Sequence, residues 1–173
     1  MRHDLFSTPV WQIEGTPQVL VDKLYEGAYQ FKDRHTGVNL TNQGGYQSPS
    51  FCWEDFHPQA KEYLEHLLND MFTEECNIGN WWYNINGKGA WNTPHTHAGC
   101  DLALVWYLTD NDGLLNLVSP HTQRNNALEK MNQVKLYALK GDIILFPSDI
   151  MHYVKPNQRD TDRICISMNL RLS

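Results

Sequence analysis

Two short stretches of the chain carry residues whose type and spacing suit metal chemistry. His95-Thr96-His97 follows the breaker Thr93-Pro94 at the end of a predicted strand. Two residues apart on a strand, His95 and His97 share a face, with Cα atoms about 6.5–7 Å apart. Two imidazoles so placed can bind one transition-metal ion, whereas burying them with neither a metal nor a polar partner is unfavourable. His152 comes 55 residues after His97, in another apolar segment that follows Phe146-Pro147. An H-x-H pair alone is a weak signal, since surface strands produce it by chance. A third histidine on a distant strand of an all-β chain strengthens it. The other five histidines read as solvated or capping groups. His3 is near the start, His35 in a polar helix end, His57 before a proline, His66 on a helix among glutamates, and His121 after Ser119-Pro120.

The last apolar segment supplies a different group. Arg163, Cys165, Ser167 and Asn169 alternate with Ile164, Ile166, Met168 and Leu170, so one face of this strand is continuously apolar and must pack. The opposite face admits two readings. It is an outer face in water, with Arg163 paired to Asp160 or Asp162, or it is the wall of the cavity that holds the metal. In the second case the fixed donor fork of Arg163 suits a carboxylate ligand. Asp101, Ala103, Val105 and Tyr107 likewise share a face, running from small residues to a phenol as a pocket wall would.

The elements that must position these groups fall into two regions. Residues 1–78 read as helical cover. After a short extended opening at Val10, Trp11 and Ile13, Thr16-Pro17 is expected to be an N-cap and a first-turn proline. Leu20, Leu24, Ala28 and Phe31 then recur at helical spacing to about Lys32. A polar, glycine-containing stretch, 41–46, precedes a second helix opened by His57-Pro58, with Ala60, Leu64, Leu67, Leu68 and Met71 on one face. From residue 79 the pattern changes to short segments rich in Val, Ile, Tyr and Trp. Strands are predicted near 80–86, 90–97, 101–108, 114–118, 133–139, 142–146, 151–155 and 163–171, separated by turns such as Asn86-Gly87-Lys88-Gly89 and Asp110-Asn111-Asp112-Gly113. Two helices followed by eight short strands predict a mainly β jelly roll, or double-stranded β-helix, with N-terminal covering helices. That order argues against alternating βαβ units, and no glycine-rich phosphate loop is present.

Composition sets the outer bounds. The chain has 173 residues, the size of one ordinary domain. No linker or repeat divides it, so a single domain over 1–173 is the economical reading, with a β core from about 79. Its twenty aromatic residues exclude a disordered chain. No apolar run approaches the roughly 20 residues of a membrane span, and the start lacks a signal-peptide pattern. A net charge of −6 argues against duplex nucleic acid as a partner for the whole surface. Cys52, Cys76, Cys100 and Cys165 show no C-x-x-C pairing and read as reduced thiols of a cytoplasmic protein, Cys165 as strand packing. A homodimer is the default for a soluble oligomer, though no particular residue supports one. Of the tryptophans, Trp81, Trp82, Trp91 and Trp106 either stack a substrate ring near the cavity mouth or belong to the core.

With these segments in place, residues 79–171 resemble the 2-oxoglutarate and iron(II)-dependent oxygenases, and within them a group of small members from bacteria and phages. The resemblance is carried by Trp82-Tyr83-Asn84-Ile85-Asn86-Gly87-Lys88-Gly89, Pro94-His95-Thr96-His97-Ala98-Gly99 and Asp101-Leu102-Ala103-Leu104-Val105-Trp106-Tyr107-Leu108. Gly141-Asp142-Ile143-Ile144-Leu145-Phe146-Pro147-Ser148 with His152, and Arg163 to Asn169, complete it. Upstream, Asn42 to Ser48 is similar to that group as well. The family motif H-x-D/E…H…R falls on His95, position 97, His152 and Arg163, with the 11-residue interval from His152 to Arg163 that the family implies.

Two positions depart from the family pattern. Position 97 holds a histidine instead of the usual carboxylate. The third metal ligand is then His97, the reading favoured here, or Asp101 from the next strand, or the site has two protein ligands plus water. Cys165 stands where a serine is expected near the co-substrate, and Ser167 either compensates or packs. The resemblance implies Fe(II) held by His95, His97 and His152, with 2-oxoglutarate chelating it and Arg163 on the far carboxylate. Tyr107, Asn84 and Ser167 are the further candidates for hydrogen bonds to that co-substrate. The implied reaction consumes O2, releases succinate and CO2, and hydroxylates a small molecule or a protein side chain, with ascorbate as a reductant. Two other classes compete: a cupin-type metal protein or dioxygenase that uses no 2-oxoglutarate, and a binding module or virion component that keeps the barrel without iron. Of the three, only the 2-oxoglutarate-dependent class needs Arg163 as a carboxylate clamp.

Overall fold

The computed structural model describes residues 7–120 and 133–173; His3 and His121 lie outside them. In chain order the elements are β1 (Trp11–Ile13), α1 (Gln18–Arg34), β2 (Asn42–Gln43), β3 (Tyr46–Gln47) and β4 (Phe51–Cys52). After a 3-10 turn at Trp53–Asp55 come α2 (Pro58–Met71), β5 (Cys76–Asn86), β6 (Trp91–His95), β7 (Leu102–Tyr107) and β8 (Leu115–Val118). The series closes with β9 (Gln133–Leu136), β10 (Ile143–Pro147), β11 (His152–Val154) and β12 (Arg163–Leu172). All eight predicted strands are present, and the pairings between strands are antiparallel. The larger sheet runs β1-β10-β7-β12-β5-β3, with β4 also on β5, and the smaller runs β2-β6-β11-β8-β9.

Side-chain alternation along β12 explains the layering. Ile164, Ile166, Met168 and Leu170 are fully buried. They share a core with Leu20, Val21, Leu24 and Ala28 of α1 and Ala60, Leu64 and Leu68 of α2. Each leucine or isoleucine so covered contributes roughly 1.5–3 kcal/mol relative to exposure. The other face of the large sheet turns toward the small one. There Cys165 joins Ala103, Tyr107, Ile144, Phe146, Leu115 and Leu117 in a second cluster. Strand β10 is buried on both faces, which is why its sequence, Ile143 to Phe146, is an unbroken apolar run.

The N-terminal region does more than cover. Strands β1 to β4 lie within residues 1–78 and extend both sheets. The polar stretch around Gly44-Gly45 becomes a corner: β2 pairs with β6 of one sheet and β3 with β5 of the other. Gly44 takes a left-handed φ of 69° there, and at Gly45 an added Cβ would collide with the side chain of Asn86. Thr16 is not the cap of α1. Its hydroxyl donates to the carbonyl of Gly141 at 2.5 Å and accepts from the indole of Trp106 at 3.2 Å, tying the chain to the sheet. The carbonyl of Pro17 instead accepts the first helical N–H bonds, from Leu20 and Val21. Among the described residues no helix is long and apolar enough to cross a membrane.

Candidate metal centre

His95 and His152 face each other across the small sheet, as directly paired residues of β6 and β11. His97 stands two residues past His95, beyond the end of β6 and not on it. Pro94 offers no N–H to the ladder and the β6–β11 register shifts beside it, so the strand stops early. The segment is fixed instead by a bond from the His97 N–H to the carbonyl of Ser148, 2.8 Å. The three imidazoles still converge: one ring nitrogen from each lies within 4.8 Å of the others.

Hydrogen bonds determine which nitrogen faces the cluster. Nδ1 of His95 donates to the carbonyl of Thr93 at 2.7 Å, and Nδ1 of His152 to that of Ile150 at 2.9 Å. Nδ1 of His97 donates to Oδ1 of Asn169 at 2.5 Å. A neutral imidazole has one proton, so each Nε2 presents a lone pair. Nε2 of His97 and Nε2 of His152 are 3.3 Å apart, two acceptors facing each other with no proton to share. Ligand nitrogens about 2 Å from one ion at a right angle are roughly 3 Å apart, so this spacing suits a common metal ion. Burial lowers the pKa of all three histidines. His152 is pushed down to about 3, first by desolvation and then by the neighbouring His95. The rings are therefore held neutral, the ligating form.

The cluster opens into a cavity of about 240 Å³ between the sheets. Arg163, Cys165, Ser167 and Asn169 of β12 line it, as do Val105 and Tyr107 of β7 and Trp82, Asn84 and Asn86 of β5. The cavity-wall reading of the Arg163 face holds. Asp160 pairs with Lys88 and Asp162 accepts from Tyr29, so neither takes up the guanidinium. Arg163 is 4% exposed; Nη1 donates to the carbonyl of Lys155, and Nη2 is buried with no partner. Burial lowers its pKa, with no carboxylate alongside to offset that. Tyr107 is buried beside it, which raises its pKa. Nδ2 of Asn84 donates to Oγ of Ser167 at 3.1 Å, leaving its Oδ1 buried and unpaired.

No carboxylate is among the described residues lining this cavity. Asp101 lies outside β7, is exposed, and accepts the N–H of Leu172 at 3.0 Å; it takes no part in the histidine cluster. Of the four tryptophans only Trp82 reaches the cavity, stacked on His97 with ring centroids 5.7 Å apart. Trp81 and Trp106 belong to the core, and Trp91 is partly exposed on β6. His35 packs against Phe31 and Phe51, and His66 is exposed. In the sequence Asn169 is only one more polar residue on the Arg163 face, and Leu40, Thr41 and Gln47 carry no assigned role. The last three reach the cavity from the N-terminal region through the β2–β3 corner, which local periodicity does not reveal.

A family model described as 2OG-Fe(II) oxygenase matches residues 80–169, just over half of the chain. No curated protein matches it. Among solved structures, HygX from Streptomyces hygroscopicus with nickel and 2-oxoglutarate bound has a TM-score of 0.69 at 13% identity, covering 95% of this chain and 83% of that one. A Pseudomonas putida prolyl-4-hydroxylase gives 0.69 at 14% identity, covering 97% and 95%. The viral collagen prolyl hydroxylase vCPH from Paramecium Bursaria Chlorella virus-1, as its 2OG complex, gives 0.64 at 16% identity, covering 95% and 96%. At these identities the likeness is one of fold, a double-stranded β-helix.

Proposed function

This chain belongs to the 2OG-Fe(II) oxygenase family, and from that premise we propose how its residues carry out an iron- and 2-oxoglutarate-dependent oxidation. His95, His97 and His152 hold the iron through Nε2, and Arg163 holds the far carboxylate of 2-oxoglutarate. The observation that carries this reading is a single cavity lined both by three lone-pair nitrogens and by a buried guanidinium, with no carboxylate among its described lining residues. A metal site that used no 2-oxoglutarate would have no need of that unpaired Nη2.

When bound, iron supplies the coupling of O2 reduction and 2-oxoglutarate decarboxylation to substrate oxidation, with succinate and CO2 as co-products. The protein's residues order and shield the reactants. Arg163 presents Nη2 as a charge-assisted donor, and Tyr107 adds a hydroxyl that burial keeps protonated. Asn84 and Ser167, already bonded to each other, supply an amide and a hydroxyl along the same wall. The carbonyls of Thr93 and Ile150 fix the tautomers of His95 and His152. The sheets on either side exclude water from the cavity floor, where Cys165, Tyr107 and His152 are buried.

Leu40, Thr41, Trp82, Thr96 and Ala98 add only uncharged side chains to the cavity lining, which suits a substrate whose reacting part is neutral. Both a small molecule and a protein side chain fit this description, and the similar solved structures include HygX with hygromycin B bound as well as prolyl hydroxylases. The 173 residues are taken as one domain, since the N-terminal strands complete both sheets and Leu40, Thr41 and Gln47 line the cavity. Four free thiols suit a reducing cytoplasm.

The test is succinate formation from 2-oxoglutarate by anaerobically purified protein given Fe(II), ascorbate and then O2, without added substrate. Wild type is expected to turn over slowly and His152→Ala not at all. A wild-type protein that takes up no stoichiometric iron would sink the reading.

A further inference from the structure

The three histidines are not oriented alike. His95 and His152 each bond Nδ1 to a backbone carbonyl two residues earlier, of Thr93 and Ile150. These contacts come with the local chain and survive any side-chain substitution. His97 has no such carbonyl. Its Nδ1 bonds to a side chain 72 residues away, Oδ1 of Asn169 on β12. The two sheets therefore meet at this contact: Asn169 belongs to the large sheet, while His95 and His152 belong to the small one.

We propose that Asn169 is the positioning residue that makes His97 a metal ligand, by fixing its tautomer and ring orientation across the gap between the sheets. The inference rests on the metal-site reading above. Three observations meet in it. The amide oxygen lies at hydrogen-bond distance from Nδ1, which places the lone pair on Nε2, facing His152. The indole of Trp82 lies over the same ring at an interplanar angle of 23°, limiting its rotation. Asn169 itself is placed by the β12 ladder, opposite Ala103 of β7 and Asn80 of β5. A carboxylate at position 97 would have no ring nitrogen for Asn169 to orient; a histidine does. The partnership is thus specific to the residue by which this chain departs from the H-x-D/E pattern.

The experiment is anaerobic titration of the purified chain with Fe(II), and separately with Ni(II), following bound metal. Asn169→Leu, which keeps the size and removes the acceptor, is expected to weaken binding about 10- to 100-fold, the usual loss when the residue orienting a metal-bound imidazole is removed. Asn169→Asp retains an acceptor for Nδ1 and is expected to stay within a few-fold of wild type. In a His97→Ala background, Asn169→Leu is expected to change affinity no further. Melting of the metal-free variants separates these effects from loss of the fold. Equal weakening by Asn169→Leu with and without His97, or equal loss in Asn169→Asp and Asn169→Leu, overturns the positioning role. A wild-type chain that binds neither metal overturns the metal-site reading and the inference with it.

Discussion

Arg163 is the most exposed to test of the site residues, because its environment is so one-sided. One guanidinium nitrogen is committed to the Lys155 carbonyl and the other is buried without a partner. Removing one member of a buried, hydrogen-bonded charge pair costs about 2–5 kcal/mol, and 1.4 kcal/mol is a factor of ten. Arg163→Ala is therefore expected to raise the concentration of 2-oxoglutarate needed for half-maximal turnover at least tenfold while leaving the metal stoichiometry unchanged. Arg163→Lys should recover only part of this, since an ammonium lacks the bidentate fork. An unchanged requirement in both variants would remove Arg163 from the co-substrate site. His95, His97, His152, Arg163 and Tyr107 were legible in the sequence as types and spacings. Asn169 was visible only as one more polar residue on a face, because its partner lies 72 residues away.

Among the elements, β12 carries the two halves of the fold on its two faces. Ile166 is fully buried against the helical layer, while Ser167, its neighbour, faces the cavity. Truncating a buried isoleucine to alanine costs about 2–5 kcal/mol, with little room to relax in a layer this closed. Ile166→Ala is expected to lower stability by that amount in chemical denaturation; a loss under 1 kcal/mol would contradict the assigned layering. Ser167→Ala, which removes an acceptor from Asn84 and little volume, should fall well below it. The eight strands from residue 76 onward were readable because alternation and turn residues are local signals. Strands β2 to β4 were not. Two residues each, they show no period, and only their partners β5 and β6 make them strands. Thr16 misled for a related reason: its hydroxyl satisfies Gly141 and Trp106, distant in sequence, instead of capping the adjacent helix.

For the molecule as a whole, three neutral imidazoles, that of His152 buried and those of His95 and His97 half-buried, tie stability to pH. Their folded-state pKa values lie below the ordinary 6.5, that of His152 at about 3, chiefly through desolvation. The unfolded chain therefore takes up protons first as pH falls. The stabilisation is fully present above about pH 6.5 and is lost progressively below it, toward the low folded-state values. The melting temperature of the metal-free protein is expected to drop between pH 7.5 and pH 5, and the drop should be smaller in His152→Ala. Metal loading should raise it at neutral pH, since a ligand that binds only the folded state stabilises that state. The most direct measurement of the central claim is anaerobic binding of 2-oxoglutarate to the wild-type protein with and without Fe(II), alongside Arg163→Ala and His152→Ala. Tight binding is expected only with metal present, weakened by Arg163→Ala and abolished together with metal uptake by His152→Ala. Binding that ignores both the metal and Arg163 would contradict that claim.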